Sequence, residues 1–387
     1  MLDAEATRPS SAKRMRARRL VSGLPASPHG GMGYPKGGGA WVEDAGRSRY
    51  VDCDLRDGAL IAGHAHPTVL AALEDFLAMR ATPARDAEAL AALTTYLLSR
   101  VSGAARVLYT PCPTSAIIQA EAMARAATGR RPILHLGPQA DPGQRFRVTG
   151  AVFRHTPTED TALAEILDDL APAAVILATG GETAGTAETN GLAAACAERG
   201  ILLLRDDRSS PLSATFDGET TADGRILGSI LGGGLPIGAV TGTAAFFETA
   251  RRGMATAPPT AEIAPSGGPD GAAPIAAVAG LATLQLLEQP GAQARLHEAG
   301  RAIFQSVDRA IKAMAPAARL SGTEERFRIS FEDGAGLGLR RFSDVLLAQG
   351  VVQRGGVFNV SLAHDTEAIS QTVAAIANAL ESSAQMA

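Results

Sequence analysis

Aromatic side chains make up only 4% of this 387-residue chain, so few rings are on hand to stack on a planar ligand. Cysteine is scarce too: Cys53, Cys112 and Cys196 are far apart, with no CxxC spacing, which argues against a disulfide framework and a zinc site. No apolar run is long enough to span a bilayer, and the N-terminus, with Asp3 and Glu5, shows no apolar leader core. A cytoplasmic location without a membrane partner is the expectation. Neither sign of charge dominates; the formal net charge is −4, too small a field to gather nucleic acid. The single basic run (Lys13, Arg14, Arg16, Arg18, Arg19) reads as a solvated helix face or an interaction arm.

What is abundant is alanine, glycine and aliphatic side chains, with 46% of residues hydrophobic, enough at this length to bury a core in two unequal domains. Periodicity and punctuation predict helices over 10–22, 67–79, 86–101 and 114–128, the last closed by Gly129. Short strands are expected around 40–43, 49–52 and 106–110, and buried apolar strands around 173–178, 200–204 and 237–241. A Pro/Gly-rich loop over 253–274 precedes a long helical stretch, 275–315. Then come a strand over 327–331, a helix over 341–349, a strand over 357–362 and a final helix capped near Asp365 and Thr366. Alternating strands and helices between mixed ends imply an α/β fold, with a mostly parallel central sheet and a smaller α+β domain. The expected divisions are 1–60 (N-terminal part of the small domain), 61–285 (large domain) and 286–387 (C-terminal small domain).

Several segments stand in a telling order: Gly39-Ala-Trp-Val-Glu-Asp-Ala-Gly46 with Tyr50-Val-Asp52, Gly63-His-Ala-His-Pro67, Ala124-Arg-Ala-Ala-Thr-Gly-Arg130, Leu227-Gly-Ser-Ile-Leu-Gly-Gly-Gly-Leu-Pro-Ile-Gly238 and Ser361-Leu-Ala-His364. Together they resemble the class III, fold-type-I aminotransferases over about 350 residues, and within that family most resemble its glutamate-1-semialdehyde 2,1-aminomutases. The resemblance implies a fold-type-I large domain, a homodimer with its sites built across the interface, and pyridoxal phosphate (PLP) held by a lysine. That lysine position is Ser229, whose hydroxyl cannot form a Schiff base. The family's phosphate loop is matched by Pro111-Cys-Pro-Thr-Ser-Ala116, where Pro113 has no N–H to donate. A charge-assisted hydrogen bond contributes about 1.5–3 kcal/mol, so two lost contacts weaken binding roughly 10²–10⁴-fold. The family's second phosphate contact, a threonine, falls near Pro269, the ring-stacking stretch has no counterpart around 134–146, and Ala178-Thr179 replaces the usual E-P pair. No cofactor is therefore expected.

One family element persists. Asp206-Asp207 matches the motif whose aspartate pairs with the pyridinium nitrogen, and Arg208 follows where an apolar residue normally packs on the ring. The carboxyl ends of parallel strands form a crevice, where Cys112, Thr114, Ser115, Thr179, the run Arg205-Asp206-Asp207-Arg208-Ser209-Ser210 and Ser229 are expected. Asp206, Asp207 and Arg208 form either a salt-bridge plug or a site with Asp207 as acid/base. Thr114 reads as the N-cap of its helix or as a ligand contact. Cys112 is a buried thiol or a nucleophile. Arg56-Asp57 lies where family members carry substrate-facing residues, so Arg56 is a candidate for the cleft mouth. His64-x-His66 has a metal-like spacing, but the family carries the pair without metal. The first functional reading is a PLP-independent enzyme that isomerises, cyclises or moves a proton on a small polar metabolite. The alternative is a non-catalytic pseudoenzyme that stabilises a partner, such as an active aminotransferase.

Overall fold

A computed structural model describes residues 34–79, 87–136, 151–153, 160–178, 186–209, 221–256, 273–315, 317–331 and 337–384. The expected helix over 10–22, the basic run, Thr179 and Pro269 lie outside them. The described chain opens with three short strands, β1 (Lys36–Gly38), β2 (Trp41–Glu43) and β3 (Arg49–Asp52), paired antiparallel. Asp44 builds the turn between β2 and β3: its Oδ1 accepts from the Gly46 and Ser48 amides, and its Oδ2 from the Tyr50 hydroxyl. Helices α1 (Pro67–Met79) and α2 (Ala87–Arg100) lead to the large sheet.

That sheet has seven strands: β4 (Arg106–Thr110), β5 (Ile133–Leu136), β6 (Ala151–Phe153), β7 (Ala174–Ala178), β8 (Leu202–Asp207), β9 (Gly224–Leu227) and β10 (Gly238–Gly242). Their order is β4-β10-β9-β8-β7-β5-β6. The five strands from β9 to β6 run parallel, and β10 lies antiparallel to both β4 and β9. Helices connect them, α3 (Pro113–Thr128), α4 (Asp160–Leu170), α5 (Thr186–Glu198) and α6 (Ala244–Thr256). Because strand side chains alternate between faces, the sheet builds two cores. Ile133, Ile176, Leu204, Ile226 and Val240 pack on Ala116 and Ala120 of α3 and Phe246 of α6. Leu134, Val175, Leu177 and Leu203 pack on Leu167 of α4 and Leu192 of α5. Helix α3 ends as expected, with Gly129 at φ 70° returning its amide to the Arg125 carbonyl.

The expected helical stretch over 275–315 is two helices, α7 (Pro274–Leu287) and α8 (Ala292–Met314), broken at Pro290-Gly291. Proline removes an amide, and Gly291 takes φ 79°. Beyond α8, strands β11 (Ala318–Gly322), β12 (Arg326–Phe331) and β14 (Val357–Asn359) form an antiparallel sheet. Between them lie α9 (Leu337–Ala348) and β13 (Val351–Val352), and β13 pairs parallel with β3 to join the N- and C-terminal segments. Many of the scarce rings gather here: Phe327 stacks on Phe358 at 5.0 Å, with Phe304 and Phe342 edge-on. The last helix, α10 (Thr366–Ala384), is capped by Asp365, whose Oδ1 accepts from the Ala368 amide. Among the described residues no helix is long and apolar enough to cross a membrane.

The expected strand over 200–204 runs on to Asp207, and the one over 357–362 stops at Asn359. Strands β5, β6, β9 and β11 were not legible. They are short, and β5 and β9 each carry a charged or titratable residue, His135 or Arg225, where a buried strand is expected to read apolar.

Candidate functional site

Strand β8 ends in Arg205-Asp206-Asp207, and alternation sends consecutive side chains to opposite faces. Asp206 shares the α3 face with Leu204; Arg205 and Asp207 share the other with Leu203. The acidic pair therefore belongs to two networks. On the α3 face, Asp206 holds Arg208 in a fork: Nε donates to Oδ1 at 2.8 Å and Nη2 to Oδ2 at 2.7 Å. On the far face, Asp207 is 2% exposed and accepts from Arg225 Nε at 2.6 Å and Arg205 Nη2 at 3.2 Å. Burial pulls the Arg205 guanidinium below its ordinary value, and the Asp207 carboxylate opposes that pull. A carboxylate held by two buried guanidinia anchors charge. It has no open approach for a ligand's proton.

The turn before α3 departs from expectation. Cys112, not Thr114, occupies the N-cap (φ −162°, ψ 165°) without a side-chain cap bond, and Pro113 is the first helical residue. Proline at that position has a preset φ and no amide to leave unsatisfied, so the cap moves one step earlier than a hydroxyl-based reading places it. Cys112 Sγ lies 3.3 Å from the hydroxyl of Ser115, both half-buried, as is Thr114. Ser229 opens a 3₁₀ turn, Ser229–Gly232, directly after β9. Gly228 beside it admits no side chain, since a Cβ there would lie 2.0 Å from the carbonyl oxygen of Arg208. The ends of β8 and β9 are thereby in backbone contact.

The chain after β3 makes an unusual turn. Leu55, Arg56 and Asp57 have φ of 46°, 53° and 62°, and Gly58 follows at 82°. Three successive left-handed residues with side chains cost about 1–2 kcal/mol each. Asp52 offsets part of this: its Oδ1 accepts from the Asp54 and Leu55 amides at 2.9 and 3.0 Å, and its Oδ2 meets His64 Nε2 at 2.7 Å. Leu55 is fully buried. The turn leaves both Arg56 and Asp57 exposed, and Asp57 Oδ1 accepts from Arg326 Nη2 at 2.8 Å and its Oδ2 from the Ser209 hydroxyl at 3.2 Å.

Asp57, Arg208, Ser209, Ile230, Arg326 and Asn359 surround a small cavity of about 30 Å³ that opens to solvent. Arg208 and Ser209 come from the end of β8, Ile230 from the turn after β9, and Arg326 and Asn359 from the C-terminal sheet. Asn359, 3% exposed, donates its amide to the carbonyls of Cys53 and Asp54, which turns its Oδ1 to accept from Arg326 Nη1. Of the residues expected in the crevice, only Arg208 and Ser209 line this cavity, with Asp206 holding Arg208 in place. Among the described side chains, Arg205, Asp207, Cys112, Thr114, Ser115 and Arg56 do not line it, while the side chain of Ser229, with Thr179 and Ser210, lies outside the described residues. Arg326 and Asn359 escape a reading of local motifs because their partners lie about 270 to 300 residues away in the chain.

Two further titratable groups are structural. His364 is buried; its Nδ1 accepts from the amide of Ser361 at 3.1 Å and meets the Ser361 hydroxyl at 2.9 Å, while Nε2 faces Cys53 Sγ at 3.8 Å. Burial pushes its pKa down to about 4, and the Cys53 thiol up to about 12. Among the described residues no three His, Cys, Asp or Glu side chains gather as a metal site, and His64 is spent on Asp52.

No family model matches the sequence. A glutamate-1-semialdehyde 2,1-aminomutase of Roseiflexus castenholzii is 26% identical over 95% of this chain and 93% of its own length. An omega-transaminase from Sphaerobacter thermophilus superposes with a TM-score of 0.79 at 22% identity, covering 98% of this chain and 99% of that one. A transaminase with PLP bound gives 0.77 at 20% identity and the same coverage. The fold is that of the fold-type-I transaminases, and the resemblance read from the sequence holds. The expectation of no cofactor is overturned by these proteins: a neighbour matching nearly all of this chain carries PLP, so PLP is the cofactor to which the fold points. The side chains here do not fit that group as the family holds it. Ser229 brings no amine, Pro113 no N–H, and both oxygens of Asp206 are taken by Arg208.

Proposed function

As a relative of the class III aminotransferases built on their fold, the chain is, we propose, an enzyme that moves a proton on a small polar metabolite bound between the ends of β8 and β9 and the C-terminal sheet. The observation that carries this reading is the cavity bounded by Asp57, Arg208, Ser209 and Arg326, where charged side chains from both parts of the chain converge at the strand ends. Charge is costly to bring into a cleft and is kept where it is paired or used. Asp57, half exposed and hydrogen-bonded by Ser209, is the group placed to exchange a proton with a ligand. Asp206 fixes the fork of Arg208, and Asp207 anchors β8 to β9 through Arg225. Relatives named for glutamate-1-semialdehyde suggest the size class: a small acid with an amino or carbonyl group.

Thermal melting of the purified chain against a panel of small amino acids, oxo acids and aldehyde acids tests the reading. At least one raises the melting temperature, and Arg208→Ala abolishes that rise. A panel without effect, or a rise that survives Arg208→Ala, overturns it. PLP belongs in the same panel, with its uptake followed by visible absorbance. We propose in addition that the chain forms a homodimer, supported by Leu70 and Leu77, which share one side of α1 and leave 43% and 52% of their surface exposed.

A further inference from the structure

One nitrogen in the C-terminal part of the chain faces two partners that make opposite demands on it. His297 lies exposed on α8. Its Nε2 is 2.7 Å from Arg301 Nη2, one turn along the same helix, and 3.0 Å from Glu324 Oε2, on the turn between β11 and β12. An imidazole nitrogen accepts when bare and donates when protonated, whereas arginine only donates and a carboxylate only accepts. No single protonation state serves both neighbours. As the side chains stand, the bare nitrogen accepts from Arg301, and Glu324 Oε2 is buried with no hydrogen-bond partner. The other oxygen, Oε1, faces Arg301 Nε at 3.5 Å. Among the described residues these are the charged groups within reach of the imidazole; β11, α7 and α10, which also pack on α8, bring none to it. Gly300 holds turn and helix together, since a Cβ there would lie 2.3 Å from the Glu324 carbonyl oxygen. The two residues after Glu324, Glu325 and Arg326, line the cavity.

We propose that His297, Arg301 and Glu324 form a pH-sensitive clasp that fastens the turn between β11 and β12 to α8. With the imidazole neutral, Nε2 is spent on Arg301 and the turn is held by its backbone alone. A proton taken from solvent forms an N–H bond at Nε2, which ends its acceptance from Arg301. The new donor turns to Glu324 Oε2 and fills that buried acceptor with a charge-assisted bond. Arg301, released, keeps Glu324 Oε1. Acidification thereby tightens the segment that presents Glu325 and Arg326 to the cavity. The device depends on these three side chains and not on what the cavity binds, so it stands or falls apart from the reading above.

Nuclear magnetic resonance of the full chain, labelled with ¹⁵N in its histidines, tests the neutral half; the His297 signals are those lost in His297→Gln. At pH 8 His297 carries its proton on Nδ1 and leaves Nε2 bare, because the tautomer follows the hydrogen bond that Nε2 accepts. A proton found on Nε2 at that pH overturns the proposal. Amide hydrogen exchange, corrected for its intrinsic dependence on pH, tests the charged half. The Thr323 amide, bonded to the Arg326 carbonyl, is the reporter. Protection across residues 322–326 rises about threefold from pH 8 to pH 5, the size expected of a part-exposed pair. His297→Gln and Glu324→Gln each abolish that rise and leave protection in the large sheet as it is in the native chain. Native protection over 322–326 that does not change with pH, or a rise that persists in His297→Gln, overturns the clasp. The tautomer and the native exchange profile decide the matter even where a variant fails to fold.

Discussion

At the scale of single residues, His364 shows how burial writes a pH dependence into the fold. An imidazole in the unfolded chain takes its proton near 6.5, whereas in the folded chain burial delays protonation to about 4. Between those values the unfolded state binds the extra proton, so stability is full above pH 6.5 and drains away as pH falls toward 4, by about 3 kcal/mol. Urea unfolding midpoints recorded from pH 7.5 to 4 show this decline, and His364→Gln flattens it; an unchanged slope in that variant refutes the assignment. The histidine was legible in the Ser361-Leu-Ala-His364 segment, but its burial was not. The same limit applies to the candidate site. Arg208 and Ser209 were found because they adjoin a recognisable acidic pair. Asp206 and Asp207 looked like one unit in the sequence and are two, because adjacent residues of a strand face opposite ways. Arg326 carried no local signal at all.

At the scale of elements, the contact between Gly228 and Arg208 decides how β8 and β9 terminate. Gly228→Ala forces its methyl against the Arg208 carbonyl and must part the two strand ends. Overpacking of this kind costs about 1–3 kcal/mol. The expected result is a melting temperature lower by several degrees, together with loss of whatever ligand stabilisation Arg208 confers. The helices over 67–79 and 113–128 were readable to within a residue, since their periodicity and the closing Gly129 lie within one element, whereas α4, α5 and α6 were not expected. Strands of three or four residues, such as β6 and β9, hold too few positions to show a period, and their identity comes from the neighbours they pair with. The break between α7 and α8 was present as Pro290-Gly291 and was overridden by the apolar content on both sides.

At the scale of the whole molecule, one apolar core joins the N-terminal strands, the end of the large sheet and the C-terminal sheet: Val51, Leu227, Leu284, Phe327 and Phe358 all belong to it. The outer face of α1 stands apart from that core, and the proposed dimer is tested there. Sedimentation analysis gives twice the chain mass for the native protein, and Leu70→Glu with Leu77→Glu shifts it to a single chain; a native monomer refutes the pairing. The bond between Asp57 and Arg326 closes a loop of 269 residues, encompassing the entire large sheet. That pairing clasps the two extremes of the polypeptide together. A fragment that stops short of β12 lacks the arginine that Asp57 meets here, and leaves the left-handed turn at 55–57 without that support.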